Sequence, residues 1–276
     1  MPDPSRAVVY LARKVDGERW LRRFLASLQA HPAGCPHDLI VILKGYGEGE
    51  VPAVLRDFAA AEVGDATGLL ALRTMPFDDR LFATEAFFTV AEKYPHDAFL
   101  FFVSWAQVLA ADWARIVFDG LFEAGYTLVG GSAGFESLGP DTPFPNPSIR
   151  TTGFALRRDD WLSLERGDLS VKYGGNLFEA GTHSMTKQIL RRGGRIAVAG
   201  RDGRYYPPER WIESRTFRLG RQENLLFSDN RTEQFDLARP GKRRRLAEMN
   251  WGAGVAVEPV SLPAVLLRRL RARLGR

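Results

Sequence analysis

The sequence predicts an α/β fold in which helices flank a central, mostly parallel sheet. Short apolar segments of strand length alternate with helical periodicity from residue 7 to about residue 131. One of these segments, 98–103 (AFLFFV), is continuously apolar, which is typical of a strand buried on both faces. Strands that alternate with helices form βαβ units, and the strands of such units run parallel.

The elements follow one another in a regular order along the chain. A helix is predicted over 16–30 because Trp20, Phe24 and Leu28 recur at helical spacing, while arginines occupy the other face. The other helices are predicted at 81–93, 111–124 and 180–193, and the strands at 7–12, 38–44, 69–74, 98–103, 126–131, 151–157 and 195–200. The proline-rich segment 132–150 is predicted to be a long loop, a kind of segment that is usually functional or disordered.

We expect one domain over residues 1–235, followed by a basic C-terminal extension over 236–276. The net charge of +5 is concentrated in 239–245 (RPGKRRR) and 263–276 (PAVLLRRLRARLGR). The second stretch places leucines among arginines at helical spacing, which predicts an amphipathic helix that lies on an anionic membrane surface. A solvated tail, or a helix packed on the domain, is the alternative interpretation.

Composition excludes several classes of protein. No run of about 18 apolar residues is present, so no membrane span is predicted. Residues 1–6 lack the features of a secretory signal, and the single cysteine, Cys35, cannot form an intramolecular disulfide. We therefore expect a cytoplasmic protein, held peripherally on the inner face of the cell membrane by its extension.

Metal and nucleic-acid sites have weak support in the sequence. Four histidines and one cysteine are scattered, so they form no cluster of His/Cys ligands. The basic segments lack interleaved aromatic residues, and neither a helix-turn-helix nor a zinc pattern is present. Nucleic acid is therefore not an expected partner.

Candidate binding residues follow the predicted strands, because ligands of open α/β sheets bind outside the carboxyl ends of the strands. Lys44 follows the second strand, Asp78 the third, and Ser104 the strand at 98–103. Each is a weak signal alone, since polar residues follow apolar strands in most proteins. The edge that they share predicts a substrate site.

Two later segments add further candidates. Arg150 stands between a proline-rich approach and a strand, where it is either a phosphate clamp or part of a structured loop. Asp229 and Asn230 belong to a dense polar turn, which is either an ordinary turn or part of a lid or sugar site. Arg218 and Arg221 precede that turn and are candidate phosphate ligands.

The strongest local pattern is 178–194 (FEAGTHSMTKQILRRGG), followed by RIAVAG. An acidic residue, Glu179, precedes a predicted amphipathic helix that ends in Arg-Arg-Gly-Gly and leads into a strand. At the start of that helix Glu179 would act as a base, or would only favour the helix dipole.

The order of elements and this segment resemble the family 2-like glycosyltransferases of the GT-A fold. The resemblance covers roughly residues 7–200 and implies a Rossmann-like GT-A sheet with an N-terminal nucleotide-binding unit. FDDR at 77–80 is similar to the family's Asp segment, so Asp78 would bind the nucleotide. Glu179 stands where the family has the first acidic residue of its catalytic motif, and Ala180 stands where the family usually has Asp.

One departure concerns metal. The family usually carries an Asp-x-Asp motif after the strand at 98–103, and this motif binds Mn²⁺ or Mg²⁺ on the diphosphate. Here the stretch is FFVSWAQ, with no acidic residue before Asp112, so no cofactor is expected and a divalent cation is not supported. Arg150, Arg218 and Arg221 would then stabilise the diphosphate.

Two functions follow as expectations. The first is a metal-independent glycosyltransferase of cell-surface polysaccharide synthesis, with Glu179 as catalytic base. Its partners would be a nucleotide-diphosphate sugar, a glycan or lipid-linked acceptor, and an anionic membrane. The alternative is a non-catalytic GT-A-like binding protein that recruits a polyanionic or membrane partner.

Overall fold

The computed structural model describes residues 3–62, 68–169 and 171–258. Its strands are β1 (Arg6–Arg13), β2 (His37–Lys44), β3 (Leu69–Phe77), β4 (Ala98–Phe102), β5 (Gln107–Val108), β6 (Leu128–Gly130), β7 (Ala133–Gly134), β8 (Ser148–Ile149), β9 (Gly153–Arg157), β10 (Ile196–Ala199), β11 (Tyr205–Tyr206) and β12 (Phe227–Ser228). Its helices are α1 (Glu18–Ala30), α2 (Ala53–Glu62), α3 (Ala83–Lys93), α4 (Trp113–Phe122), α5 (Arg158–Leu162), α6 (Lys172–Ala180), α7 (Met185–Arg191), α8 (Asn230–Asp236) and α9 (Pro240–Trp251), with short 3-10 helices at Lys14–Asp16 and Pro208–Ser214.

Eight strands form the central sheet in the order β11-β10-β6-β9-β4-β1-β2-β3. Strands β4, β1, β2 and β3 pair in parallel, and so do β6 and β10. Strand β9 runs antiparallel between β4 and β6, and β11 is antiparallel at one edge. The prediction of an α/β fold with a mostly parallel, Rossmann-like sheet flanked by helices is confirmed.

The sheet is covered on both faces, which explains why its central strands are almost continuously apolar. On β1, Val8 and Tyr10 pack into one layer with Phe24 of α1. Val9 packs into the opposite layer, which contains the rings of Phe88 and Trp161. Both layers are fully buried at these positions, so burial fixes the register of each strand.

The helix predicted over 180–193 is divided into two, and this corrects the position of Glu179. Helix α6 ends at Ala180, and a new helix, α7, begins after Ser184, whose hydroxyl accepts a hydrogen bond from the backbone N–H of Lys187 at 3.4 Å. Glu179 therefore lies in the last turn of α6 and not at the start of a helix. The positive helix dipole at an N-terminus does not act on it.

The described part of the C-terminal extension packs on the rest of the chain. Trp251 of α9 donates its indole N–H to the carbonyl of Phe217 at 2.7 Å, and the backbone N–H of Phe135 donates to the carbonyl of Asn250 at 3.1 Å. The amphipathic helix predicted over 263–276 lies outside the described residues. Within the described ranges, none of the helices combines the length and the apolar character needed to cross a membrane.

Candidate functional site

A cleft opens at the carboxyl ends of β1, β2 and β4, as expected for an open α/β sheet. Its inner part has a volume of about 370 Å³ and is bounded by Lys44, Asp79, Thr151 and Glu179 together with apolar side chains of α3 and α6. Its outer part has a volume of about 330 Å³ and is lined by Leu11, Arg13, Asp16, Ala83, Val103, Ser104, Trp105 and Asn230. Leu11, Arg13, Ala83 and Val103 line both parts, so we call them the inner cleft and the outer cleft of one site.

Glu179 presents a carboxylate to the inner cleft from the last turn of α6. The hydroxyl of Thr151 donates a hydrogen bond to its Oε1. Burial raises the pKa of Glu179, the charges of Arg150 and Arg231 oppose that rise, and the charge of Asp229 adds to it. A carboxyl group that lines a cleft and whose pKa is raised is suited to accept a proton from a bound ligand.

Lys44 and Asp79 form an ion pair at the end of the inner cleft. The Nζ of Lys44, a buried residue, donates to Oδ1 of Asp79 at 2.8 Å and also to the backbone carbonyl of Asp79. Gly45 allows this approach, because its φ of 79° favours glycine and a Cβ there would stand only 3.2 Å from Cγ of Asp79. The pair places one cation and one carboxylate where β2 and β3 end.

Asp78, the predicted nucleotide ligand, is outside the residues that line the cleft and pairs with a different residue. Its carboxylate binds the exposed guanidinium of Arg80, with Nη2 and Oδ2 2.6 Å apart. The hydrogen bonds from Arg80 lower the pKa of Asp78 to about 2. The neighbouring Asp79 is the carboxylate that lines the inner cleft, a difference that the FDDR segment alone does not reveal.

Substitution of these two neighbours is expected to separate their roles. Asp79→Ala leaves the buried ammonium of Lys44 without its carboxylate, which should cost about 1–3 kcal/mol of unfolding free energy. Asp78→Ala removes only an exposed ion pair with Arg80, so it should change the unfolding free energy far less than Asp79→Ala does. Urea denaturation of both variants measures the difference. Equal losses of unfolding free energy would show that the Lys44–Asp79 pair stabilises the fold no more than the exposed Asp78–Arg80 pair.

Arg150 and Arg218 lie together beside the inner cleft. Both guanidinium groups stand 4.8 Å from the ring centroid of Phe217, and both approach Oε2 of Glu136, at 3.8 Å and 3.0 Å respectively. Burial lowers the pKa of Arg218, the charge of Glu136 opposes this shift, and the nearby charges of Arg150 and Arg231 add to it. Two cations share one carboxylate, so this group keeps an excess of positive charge.

The other two predicted phosphate and sugar ligands have different surroundings. Arg221 is exposed and outside the residues that line the cleft; its backbone N–H donates to Glu223 at 2.9 Å. Asp229 is buried and caps α8, since its Oδ1 accepts from two backbone N–H groups of that helix and its Oδ2 accepts from the hydroxyl of Thr152 at 2.6 Å. Both carboxylate oxygens of Asp229 thus hold α8 against the start of β9.

Ser104 and Asn230 line the outer cleft. The hydroxyl of Ser104 donates to the carbonyl of Leu11 at 2.8 Å, which ties the segment after β4 to the end of β1. Asn230 is the first residue of α8 and faces the same space. The fold thus brings Lys44, Ser104, Glu179 and Asn230 to one cleft, with Arg150 close to Glu179.

The sequence assigned no site role to three contributors: Asp79, which follows the third strand beside Asp78; Arg231, in the polar turn of Asp229 and Asn230; and Glu136, the shared partner of Arg150 and Arg218. Glu136 lies in the segment predicted as a loop, and the residue that it binds, Arg218, is distant in sequence. Arg231 directly follows Asp229 and Asn230, two predicted binding residues, and this position in the sequence is the signal that could have identified it.

Metal ligation has no support from side chains in the described ranges. Among residues 3–62, 68–169 and 171–258 no group of three or more His, Cys, Asp or Glu side chains is placed to hold a metal ion.

No protein-family model matches the chain, and no curated protein matches it significantly. The chemistry of the cleft itself therefore has to carry the functional conclusion.

Proposed function

We propose that the protein is a glycosyltransferase that moves a sugar from a nucleotide-diphosphate donor to a hydroxyl of a glycan or lipid-linked acceptor. The observation that carries this proposal is Glu179, a carboxylate of raised pKa in a cleft at the carboxyl ends of the parallel strands. The Rossmann-like sheet is compatible with the GT-A fold that the sequence resemblance implies.

In the proposed reaction the acceptor hydroxyl attacks the anomeric carbon of the donor sugar. Glu179 takes the hydroxyl proton as the new C–O bond forms. The bond between the anomeric carbon and the diphosphate oxygen breaks, and the nucleoside diphosphate leaves with the electron pair. Thr151 orients Glu179 through the hydrogen bond to Oε1.

The charge that develops on the leaving diphosphate requires positive charge nearby. Arg150 and Arg231 act on Glu179 through their charges, and Arg218 joins them through the Glu136 carboxylate that it shares with Arg150. Guanidinium groups suit phosphate because they bind two oxygens at once. We assign the diphosphate to this group of arginines.

The residues at the position of the family's metal motif do not fit Mn²⁺ or Mg²⁺. The stretch after β4 offers Ser104, whose hydroxyl donates to Leu11, and Trp105, which has no oxygen ligand. The first acidic residue after it, Asp112, binds Arg115 with Oδ2 and Nη2 3.1 Å apart. Hard cations need several oxygen ligands, so no step of the proposed reaction involves a metal.

A non-catalytic binding protein is the second candidate. Loss of the acidic motif after β4, together with the carboxylate already shared by Arg150 and Arg218, favours it. Such a protein would bind a polyanionic or membrane partner through the same arginines or through the basic extension. In both proposals the protein works in the cytoplasm, peripherally on the inner face of the membrane.

A thermal-shift screen with UDP-, GDP-, CMP- and dTDP-sugars, with and without EDTA, tests the proposal. Saturation at a hundred times Kd should raise Tm by roughly 5–10 °C, because a ligand bound only by the folded state stabilises it by mass action. The shift with one nucleotide class should survive EDTA.

Two arginine variants, one a test and one a control, check which guanidinium groups contact the ligand. Arg150→Met should lose most of the shift, whereas Arg221→Met, which removes an exposed guanidinium outside the cleft, should keep it. No shift with any nucleotide sugar would refute the transferase and leave the binding-protein candidate. A shift that requires Mn²⁺ or Mg²⁺ would refute the metal-free assignment.

A further inference from the structure

Trp105 is held in an unfavourable backbone conformation at the mouth of the cleft. Its φ is 79°, in the left-handed region that side chains other than glycine rarely adopt. It directly follows Ser104 after β4 and lines the outer cleft. A bulky residue keeps such a conformation only where the surroundings fix it, and such residues are concentrated at functional sites.

The indole of Trp105 has a rigid support on one face. It stacks on the buried indole of Trp20, with ring centroids 4.5 Å apart and planes 10° from parallel. The guanidinium groups of Arg19 and Arg23 stand 4.2 Å and 5.0 Å from the ring centroid of Trp20. The support therefore consists of stacked planar groups on α1.

The same support is tied to the elements on either side of it. Arg23 donates to Gln107 of β5 at 2.8 Å and pairs with Glu233 of α8 at 2.5 Å. Ser104 is bound to the end of β1, as described above. The position of the Trp105 ring is thus fixed from α1, β1, β5 and α8.

Trp105 borders the outer cleft on the side that Trp20 does not stack on, as far as ring and cation contacts show. In the described part of the chain, no second ring and no cation stacks on Trp105 apart from Trp20. The residue is only half-buried and borders the outer cleft. A flat apolar surface of this kind is available in a space of about 330 Å³, which is close to the lower limit of small-molecule sites.

Polar groups surround this surface. Asp16 and Asn230 line the outer cleft together with Trp105. Oδ2 of Asp16 is buried and forms an ion pair with Nη1 of Arg13 at 3.6 Å, but it accepts no hydrogen bond from any residue that the structure describes. A buried acceptor without a donor is costly, so it marks a position where a ligand hydroxyl would bind well.

From these contacts we propose that the outer cleft is a pyranose-binding subsite in which Trp105 is the stacking platform. A pyranose ring has an apolar face of C–H groups that packs on an aromatic ring, while its hydroxyl groups donate to and accept from side chains at its edge. Asp16 accepts from one hydroxyl, and Asn230 both donates and accepts. The subsite itself does not depend on the proposed transferase; only the source of the bound sugar, donor or acceptor, does.

Two sources of a pyranose are available, the acceptor glycan and the sugar of the donor, and three probes distinguish them. The probes are a panel of methyl pyranosides, a nucleoside diphosphate, and the corresponding nucleotide sugar. Binding to the full chain is measured by saturation-transfer NMR and by tryptophan fluorescence. Trp105→Gly is the main variant, because glycine adopts the same φ without strain and only the ring is removed.

A matched control removes similar strain elsewhere. Asp112 also has a positive φ, 59°, and lies outside the residues that line the cleft, so Asp112→Gly should leave all three affinities unchanged. Trp105→Phe keeps an aromatic ring and should retain part of the binding. Circular dichroism and Tm show that each variant is folded.

If the ring binds the acceptor, Trp105→Gly should weaken methyl pyranosides by about tenfold or more and leave both nucleotide probes unchanged. If it binds the donor sugar, the nucleotide sugar should weaken and the nucleoside diphosphate should not. Equal affinities in wild type and Trp105→Gly would overturn the subsite, and so would a loss seen with the nucleoside diphosphate alone. Pyranoside binding that depends on Trp105 without any nucleotide binding would support the subsite and refute the transferase.

Discussion

Glu179→Gln is expected to lower kcat by about 10²- to 10⁴-fold, the range that a positioned general base contributes. The amide keeps the size of the side chain and can still accept the hydrogen bond from Thr151, so the cleft should keep its shape. Nucleotide-sugar binding should change little, since the carboxylate acts on the acceptor. Steady-state kinetics together with donor titration measure the two effects separately.

The pH profile gives an independent readout of the same carboxylate. Burial raises the pKa of Glu179, and only the ionised form accepts a proton. The rate of the wild type should therefore fall as the pH decreases through that raised pKa, at a higher pH than an exposed glutamate near 4.3 would give. The residual rate of Glu179→Gln should lack this acid limb.

The same substitution is expected to stabilise the protein at neutral pH. A carboxyl group whose pKa is higher in the folded state than in the unfolded state opposes folding once it is ionised. This cost is absent below the unfolded pKa, grows as the pH rises, and is complete above the folded pKa. Glu179→Gln should therefore raise Tm near pH 7, and the gain should disappear at acid pH.

Asp160 provides a matched control for this experiment. Burial raises its pKa too, but it lies beside Arg157 and outside the residues that line the cleft. Asp160→Asn should show a stability gain of the same sign with an unchanged rate. Wild-type rates in Glu179→Gln would remove Glu179 from the reaction, whatever the stability data show.

Helices α1, α3 and α4 and the central strands were predictable from sequence because their signals are local, whereas α2, α5, α8 and α9 were not predicted. Trp20 and Phe24 recur on one face of α1, and 98–103 is continuously apolar, so each element could be recognised without its neighbours. The division of 180–193 into α6 and α7 depends on Gly181 and on the cap at Ser184, which are weaker signals. Boundaries set by single residues are harder to predict than periodic interiors.

The candidate site was predictable only as far as the carboxyl-end rule extends. That rule places Lys44 and Ser104 at one edge, because parallel strands end together. It does not distinguish Asp78 from Asp79, since that choice depends on which carboxylate reaches Lys44. Nor does it pair Arg218 with Glu136, two residues that approach only in the folded chain.

The basic segment 239–245 belongs to the predicted basic extension, and one of its arginines has a structural role inside the fold. Arg243 is 1% exposed. Its Nη1 donates to the carbonyl of Phe235 at 3.0 Å, and its Nη2 donates to the carbonyl of Gly220 at 2.6 Å. The neighbouring Arg244 and Arg245 are exposed on the other face of α9, so helical periodicity divides the run into a structural residue and a charged surface.

Arg243→Met is expected to lower the unfolding free energy by about 3 kcal/mol or more, because the buried carbonyl of Gly220 loses the Arg243 donor, the carbonyl of Phe235 loses one of its donors, and Asp236 loses an ion-pair partner. Methionine fills part of the space but donates no hydrogen bond. Arg244→Met, the adjacent exposed position, should change the unfolding free energy by less than about 0.5 kcal/mol. Urea denaturation of the two variants measures the contrast. Similar losses of unfolding free energy would show that the buried hydrogen bonds of Arg243 do not stabilise the fold.

The Arg243 variant should also weaken binding in the cleft, although Arg243 itself is outside it. Gly220 belongs to the turn that holds Arg218, since the side chain of Gln222 accepts from the backbone N–H of Arg218 at 3.0 Å. The same glutamine donates to the carbonyl of Thr232 in α8 at 3.0 Å. Loss of the Arg243 bond to Gly220 should loosen this turn and misplace the guanidinium of Arg218. We therefore expect Arg243→Met to lose nucleotide-sugar affinity under conditions where it remains folded. Arg244→Met should keep that affinity. Unchanged affinity in Arg243→Met would mean that Arg218 is positioned by Glu136 and Phe217 alone.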